Sequence, residues 1–443
     1  MVQSFDGFKD SLWQATAVAS PQLFPLKVNH IADVTIIGAG FVGLNAAIDL
    51  AEAGHSVVVL EARELGFGGS GRSGGQVNMG LNLGPSQLMD LYGKDQGQRT
   101  IAMTQATPQR LFDRVHQLGL NCDPVQNGWV QAAIDQRTFE GQKRLAEEYD
   151  QFGGGLDVLG ERQIRDRSGT ESYLGGLFCP SAGSIQPLSY TRELARVALT
   201  KGVKVYNHSP VASLRSNSDG WVAALDNGCE VKSGQVLVCT NGYTGNLVQG
   251  LKQKLVPIRS ILIATEPLSR ALQEEILPNQ VTFVDKRRLI LYMRYDRDGR
   301  LCIGDLGPMK DEFSLNDFEG VKKRAIKVFP ALTKVKWSYY WGGRIAMTRS
   351  HLPFIYEPKA GLVAGLGCNG RGVGLGTVMG RNLAKLVSAR LNNTQEPDLD
   401  LPLSHPKSYS FHSFHPLGAF IGTRWAGFLD QMEESRMRFK NRF

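Results

Sequence analysis

Residues 34–61 read VTIIGAGFVGLNAAIDLAEAGHSVVVLE. The run Val34-Thr35-Ile36-Ile37 is short, β-branched and apolar, and it stops at Gly38. Phe41, Leu44, Ala47, Ile48 and Ala51 then recur at helical spacing until Gly54, and Val57-Val58-Val59-Leu60 forms a second apolar run. The spacing predicts strand, tight turn, helix and a second strand, both strands buried as in a parallel sheet. The turn is Gly38-Ala39-Gly40-Phe41-Val42-Gly43, a GxGxxG in which each glycine has a task. Gly38 allows the turn, Gly40 lets a pyrophosphate approach the backbone, and Gly43 lets the helix lie close to the strand. The phosphate charge would face the free amides of the helix N-terminus. Glu61 ends the second strand, where a carboxylate can accept from the ribose hydroxyls of an adenosine.

Two further glycine clusters extend the reading, in a chain with 50 glycines among 443 residues. Residues 66–75, GFGGSGRSGG, follow Glu61-Ala62-Arg63 closely. A second glycine-rich segment at this place argues for FAD over NAD, because a longer cofactor needs a longer backbone-lined channel. Within it Arg72 can add positive charge near the pyrophosphate or the flavin; the alternative is a solvated turn arginine. Residues 365–374, GLGCNGRGVG, again join a strand to a helix. That helix dipole would stabilise negative charge on a reduced flavin ring, although a close helix–strand crossing would also demand glycine. Residues 236–242, VLVCTNG, form a buried strand and tight turn of the kind that meets a nucleotide at a sheet edge.

Composition excludes other classes. No stretch of 18 or more apolar residues lacks charge, and the opening MVQSFDGFKD has no secretory pattern, so the chain is expected to be globular and cytoplasmic. The net charge of +8 favours anionic partners, but basic residues are scattered and nucleic-acid motifs are absent. The six cysteines form no CxxC pair and the histidines have no metal spacing, so neither a metal nor a disulfide framework is expected.

Along the chain, 98–150 reads as mostly helical, 190–201 as a helix, 203–206, 221–225 and 235–240 as strands, 256–305 as an antiparallel sheet, 313–328 as a helix and 370–391 as a long one. This order predicts an α/β plus α+β fold: a Rossmann-like FAD-binding domain with an inserted substrate domain on a mixed, mainly antiparallel sheet. The expected division is an N-terminal arm (1–30), a discontinuous FAD domain (31–90, 180–250 and 345–400), a substrate domain (91–179 and 251–344) and a C-terminal tail (401–443). In the tail, Phe414, Leu417, Phe420, Ile421, Trp425, Phe428, Leu429 and Met432 follow helical spacing among basic residues. Such a helix would lie on an anionic membrane surface at the inner face and pass electrons to a quinone, or dock on the protein's own core or a partner subunit.

Four segments in order, GAGFVGLNAAIDLAEAGHSVVVLEA, GGSGRSGGQ, WGGRIAMTRSHLP and GLGCNGRGVGLGTVMGR, resemble the D-amino-acid oxidase superfamily of FAD enzymes. The nearest resemblance is to the branch holding L-pipecolate oxidase and γ-glutamylputrescine oxidase. It implies hydride transfer from the carbon beside an amine to flavin N5, leaving an imine. The substrate would be an amino acid or secondary amine, with O2 or a quinone-type carrier as acceptor. The alternatives are a γ-glutamylputrescine oxidase-like activity, a flavoprotein electron-transfer or maturation subunit, and an NAD-dependent dehydrogenase.

Carried over by position, the resemblance gives Gly38, Gly40, Phe41, Val42, Gly43, Glu61, Ala62 and Arg63 to the ADP half of FAD. Ser70, Gly71, Arg72 and Ser73 would line the pyrophosphate and flavin channel, and Val211 the adenine. Thr240, Asn241, Gly242, Gly343 and Gly372 would lie along the rest of the cofactor, and Asn369, Gly370 and Arg371 would face the isoalloxazine. Residues 345–360 lack the cysteine through which some relatives attach FAD, so non-covalent binding is expected. Cys302 stands where monomeric sarcosine oxidase has a lysine that helps O2 react, which counts against fast use of oxygen. An amino-acid carboxylate needs an arginine, and Arg294 and Arg344 are the candidates, with Trp341 and Tyr292 as pocket walls.

Overall fold

The computed structural model describes residues 4–287, 290–410 and 412. The opening unit forms as expected: strand His30–Ile37, helix Phe41–Glu52 and strand Val57–Leu60, the strands pairing in parallel from Val34↔Val57 to Ile37↔Leu60. Val34, Ile36, Val57 and Val59 are almost wholly buried, and such side chains contribute about 1.5–3 kcal/mol each. They sit in an eight-stranded sheet whose main path is Val211–Asn217, Gly220–Leu225, Glu230–Val238, His30–Ile37, Val57–Leu60, Lys204–Tyr206.

The strand Glu230–Val238 forks. Its first half pairs antiparallel with Gly220–Leu225, and Val236–Val238 pair in parallel with Leu362–Ala364. That last strand, Leu362–Leu366, leads through the third glycine cluster into the helix Gly372–Leu391, which packs on Phe41–Glu52. The nucleotide layer is therefore closed by a segment more than three hundred residues downstream of its start.

The second sheet, also eight-stranded, runs Trp337–Met347, Val256–Thr265, Leu301–Leu306, Tyr292–Tyr295, Thr282–Asp285, Trp129–Ala133, Gly175–Cys179, Asp157–Leu159. Of its pairings only Thr282–Asp285 with Trp129–Ala133 is parallel, so the sheet is mixed and mainly antiparallel. The helix Leu315–Val328 covers it, burying Phe318, Val321, Ala325 and Val328.

Three local readings differ. Within 98–150, Trp129–Ala133 is a strand between the helices Pro85–Gln117 and Gln136–Asp150. The strand expected at 235–240 begins at Glu230. Phe313 belongs to the strand Glu312–Ser314, and the helix starts after Ser314, whose backbone N–H donates to Asp317 at 2.7 Å in a capping box. The N-terminal segment is built into the structure: Ser4–Asp6 pairs with Glu312–Ser314, and Leu12 and Trp13 are fully buried. At the other end Ser404 N donates to Ile355 O (2.8 Å) and Tyr409 N to Gln253 O (2.9 Å). The proposed amphipathic helix at 414–432 lies outside the described residues. Among the described residues no helix is long and apolar enough to cross a membrane.

Candidate active site

A cavity of about 1130 Å³ lies where the two sheets face each other. It exceeds the roughly 300–1,000 Å³ usual for a drug-sized ligand. At its nucleotide end Gly38 has φ +103°, and a Cβ there would lie 3.0 Å from Cys239 O. Gly43 works by close approach, since a Cβ would come within 2.1 Å of Gly38 O. The helix Phe41–Glu52 has no side-chain cap at Gly40, so its positive end is open, while Phe41 N donates to Ser70 Oγ at 3.0 Å. Ser70 thus ties the second glycine cluster to the first.

Glu61 accepts from Ala39 N and Arg63 N, each at 3.0 Å. Burial raises its pKa, and the backbone N–H bonds partly offset that. Each carboxylate oxygen keeps a lone pair for a ribose hydroxyl. The open helix end, the space in front of Gly40 and the Glu61 carboxylate together fit an adenosine diphosphate group.

Most of the expected cofactor residues line this cavity: Gly38, Gly40, Phe41, Val42, Glu61, Ala62, Arg63, Ser70, Arg72, Ser73, Val211, Thr240, Asn241, Gly242, Gly343, Asn369, Gly370, Arg371 and Gly372. Gly43 and Gly71 lie behind the wall, packed against backbone, a Cβ on Gly71 falling 2.1 Å from Gly66 O. Several of these side chains serve the loops themselves. Arg72 is buried, not solvated: Nε donates to Phe67 O at 2.6 Å, Nη1 to Gly342 O at 3.1 Å, and its guanidinium lies 4.4 Å from the Phe67 ring. Asn241 Oδ1 accepts from Gly367 N (2.9 Å), and Asn369 Oδ1 from Thr348 N (2.8 Å), so both asparagines brace the third cluster.

The expected substrate residues separate. Tyr292 lines the cavity, its hydroxyl 2.6 Å from Ser260 Oγ, and burial raises its pKa so that it stays neutral. Arg344 also lines it, but its guanidinium is bonded to Asp311, which pairs with Arg259 as well. Trp341 is fully buried, donates to Arg72 O at 3.0 Å and packs edge-on against Trp13. Arg294 is 4% exposed, stacked 4.7 Å from Trp13, and lines a separate small pocket with Asp123 and Asp296. Neither Trp341 nor Arg294 lines the cavity: both pack against Trp13 of the N-terminal segment.

Another arginine, Arg371, lines the cavity beside Trp129 of the second sheet. Its guanidinium lies 5.1 Å from the Trp129 ring, and Nη1 donates to Met79 O at 3.2 Å. Burial lowers its pKa. Beside it stands Lys286, held by the bond from its own N–H to Ala132 O at 3.0 Å. No motif pointed to Lys286, Trp129 or Asn78. Trp13 was equally unmarked, although an N-terminal tryptophan in a polar stretch was a usable signal of docking.

A parallel nucleotide sheet opening on a second, substrate-facing sheet defines a dinucleotide-dependent redox enzyme. The chain belongs to the DAO family of FAD-dependent oxidoreductases, whose model matches residues 33–386, and FAD is its cofactor. It is 31% identical over 417 residues to the probable oxidoreductase OrdL of Haemophilus influenzae, covering 93% of this chain and 94% of that one. It is also 31% identical over 382 residues to the gamma-glutamylputrescine oxidoreductase of Escherichia coli, covering 85% and 88%. The solved glycine oxidase of Geobacillus kaustophilus superposes with a TM-score of 0.69 at 20% identity, covering 83% of this chain and 96% of that one. The L-amino acid deaminase of Proteus vulgaris superposes with a TM-score of 0.69 at 18% identity, covering 88% and 97%.

Proposed function

We propose that this enzyme oxidises the C–N bond of an amino acid or secondary amine whose carboxylate is held by Arg371. The observation that carries the reading is that Arg371 lines the cavity on the substrate sheet's side and has no carboxylate partner among the described residues. Bound FAD supplies the two-electron chemistry. The chain's own residues bind and orient: Arg371 takes the carboxylate, Trp129 and Tyr292 wall the pocket, and the glycine clusters hold the cofactor. No cysteine occurs at residues 345–360, which supports non-covalent FAD. Cys302 is buried with its thiol pushed up to about 12, so it supplies no charge of its own. That supports a carrier other than O2 as the faster electron acceptor.

L-Pipecolate is the first substrate to test. The likeness to gamma-glutamylputrescine oxidoreductase favours γ-glutamylputrescine as the second reading, since its glutamyl end also carries a carboxylate. Each is added anaerobically to the yellow holoenzyme. Rapid bleaching by one identifies the substrate. Bleaching by neither, nor by other amino acids, returns the chain to the role of an electron-transfer or maturation subunit.

A further inference from the structure

Arg294, on the strand Tyr292–Tyr295, is almost wholly buried, yet among the described residues its guanidinium has no hydrogen-bond or ion-pair partner. Its Nε is enclosed by protein, and the Trp13 ring lies 4.7 Å from the guanidinium carbon. An indole eases a positive charge across its face but accepts no hydrogen bond from it. Burial opposes the charge, and Asp296 and Asp123 favour it without touching it. Both carboxylates are engaged elsewhere. Asp296 accepts from Asp298 N at 3.0 Å, from Arg300 N at 2.8 Å and from Arg300 Nη1 at 2.9 Å. Asp123 faces Arg297 Nη1 at 3.4 Å. Asp298, which also reaches Arg300, is exposed and screened by solvent. Each nearby buried or half-buried acid thus has an arginine of its own, and Arg294 is the cation left over, an arrangement that is costly until an anion meets it.

The Arg294 side chain lines a pocket of about 40 Å³, separate from the cofactor cavity. One water needs roughly 10–15 Å³ and a drug-sized ligand roughly 300–1,000 Å³, so the space suits a group of about one to four heavy atoms. We propose that this pocket binds a small monovalent anion, a halide or a one-carbon oxyanion, on Arg294. The planar guanidinium fork offers Nε and one Nη side by side, which matches a bridging halide or a pair of oxygens. Binding there ties two parts of the chain together. Gln186 Nε2 donates to Trp13 O at 2.9 Å and to Thr16 Oγ1 at 3.2 Å, and all three residues line the pocket. On the other side, a Cβ on Gly75 would lie 3.1 Å from Arg294 Nη2, and Trp13 holds Ser73 O. The anion therefore sits between the N-terminal segment and the glycine cluster that lines the cofactor channel. A ligand that binds only the folded protein stabilises it, so small anions raise both thermal stability and flavin retention. The site takes no part in amine oxidation and stands whether or not the substrate reading does.

The test follows flavin release on heating holoenzyme of the wild type, Arg294→Met and Asp123→Asn. Sodium chloride is titrated, then sodium formate, with sodium gluconate holding the ionic strength constant because gluconate is too large for the pocket. In the wild type the release temperature is expected to rise and saturate with chloride or with formate; which of the two saturates at lower concentration tells halide from oxyanion. Arg294→Met should lose the saturable rise. Asp123→Asn withdraws a half-exposed negative charge from the lining and should lower the half-saturating concentration about threefold or more. Chloride NMR line broadening at room temperature reports the same binding without heating. No saturable effect of either anion in the wild type, an effect that persists in Arg294→Met, or an unchanged half-saturation in Asp123→Asn overturns the proposal. Should Arg294→Met fail to fold, the wild type and Asp123→Asn decide it.

Discussion

The Trp13 indole N–H donates to the backbone carbonyl of Ser73 at 2.8 Å, across sixty residues of sequence. A residue of the N-terminal segment thereby supports the glycine cluster that lines the cofactor channel, and Trp341 does the same at Arg72. Trp13→Ala removes a fully buried side chain, and about 3–5 kcal/mol of stability should go with it. Trp13→Phe keeps most of the packing and loses about 1 kcal/mol for the bond. Thermal unfolding and the ratio of flavin to protein absorbance should rank the variants wild type, Phe, Ala.

Gly43→Ala tests the first turn. The added methyl carbon would meet the backbone oxygen of Gly38 at 2.1 Å, with the buried Ile36 side chain 3.1 Å away. Helix and strand must separate, so purified protein should carry little flavin and melt earlier by the equivalent of about 1–3 kcal/mol. A yellow Gly43→Ala protein of normal stability would contradict the packing described here.

Arg294 and Arg371 make opposite predictions. Arg371→Met should raise the KM for a carboxylate-bearing amine about a hundredfold, as expected for a lost charge-assisted pair. Arg294→Met, replacing a buried guanidinium outside the cavity, should leave KM within about twofold and affect mainly stability. Steady-state kinetics and melting of the two variants separate these outcomes.

Glu61 gives the pH dependence of cofactor binding. Burial holds its carboxyl above the ordinary glutamate range, so on acidification it protonates early and ceases to be a full acceptor for ribose hydroxyls. FAD should therefore begin to dissociate at a pH above the usual glutamate titration. The sign for the apo-protein is the reverse. A group whose folded pKa is raised binds its proton more tightly when folded, so its contribution to stability grows as pH falls through that value. Flavin fluorescence against pH should show the release, and Glu61→Gln should bind FAD weakly with this dependence removed.

The nucleotide unit was legible in the sequence because its signals are local: two apolar runs, three glycines and an acid in fixed order. Trp129–Ala133 was not, because all five residues are buried, Gln131 included, and so short a run without clean alternation looks the same in strand and helix. Arg294 and Arg344 were reasonable choices for a carboxylate clamp, but strand alternation does not say that Trp13 covers Arg294, nor that Asp311 already occupies Arg344. Arg371 was visible by its place in the third glycine cluster, though as a cofactor contact. Lys286 follows a strand outside every motif, and the parallel pairing of Thr282–Asp285 with Trp129–Ala133 brings it to the cavity.

The forked strand Glu230–Val238 also bears on how the chain is made. Its second half, paired on one side with His30–Ile37, gains its other partner only when Leu362–Leu366 has been synthesised, and the helix that covers Phe41–Glu52 comes later still. On the ribosome the nucleotide half must wait, incomplete, while the substrate half is translated through its middle. Long-range pairing of this kind makes folding slow and exposes strand edges meanwhile. A fragment ending near residue 344 should therefore aggregate rather than persist as an independent dinucleotide-binding module, and the full chain should unfold in one cooperative step.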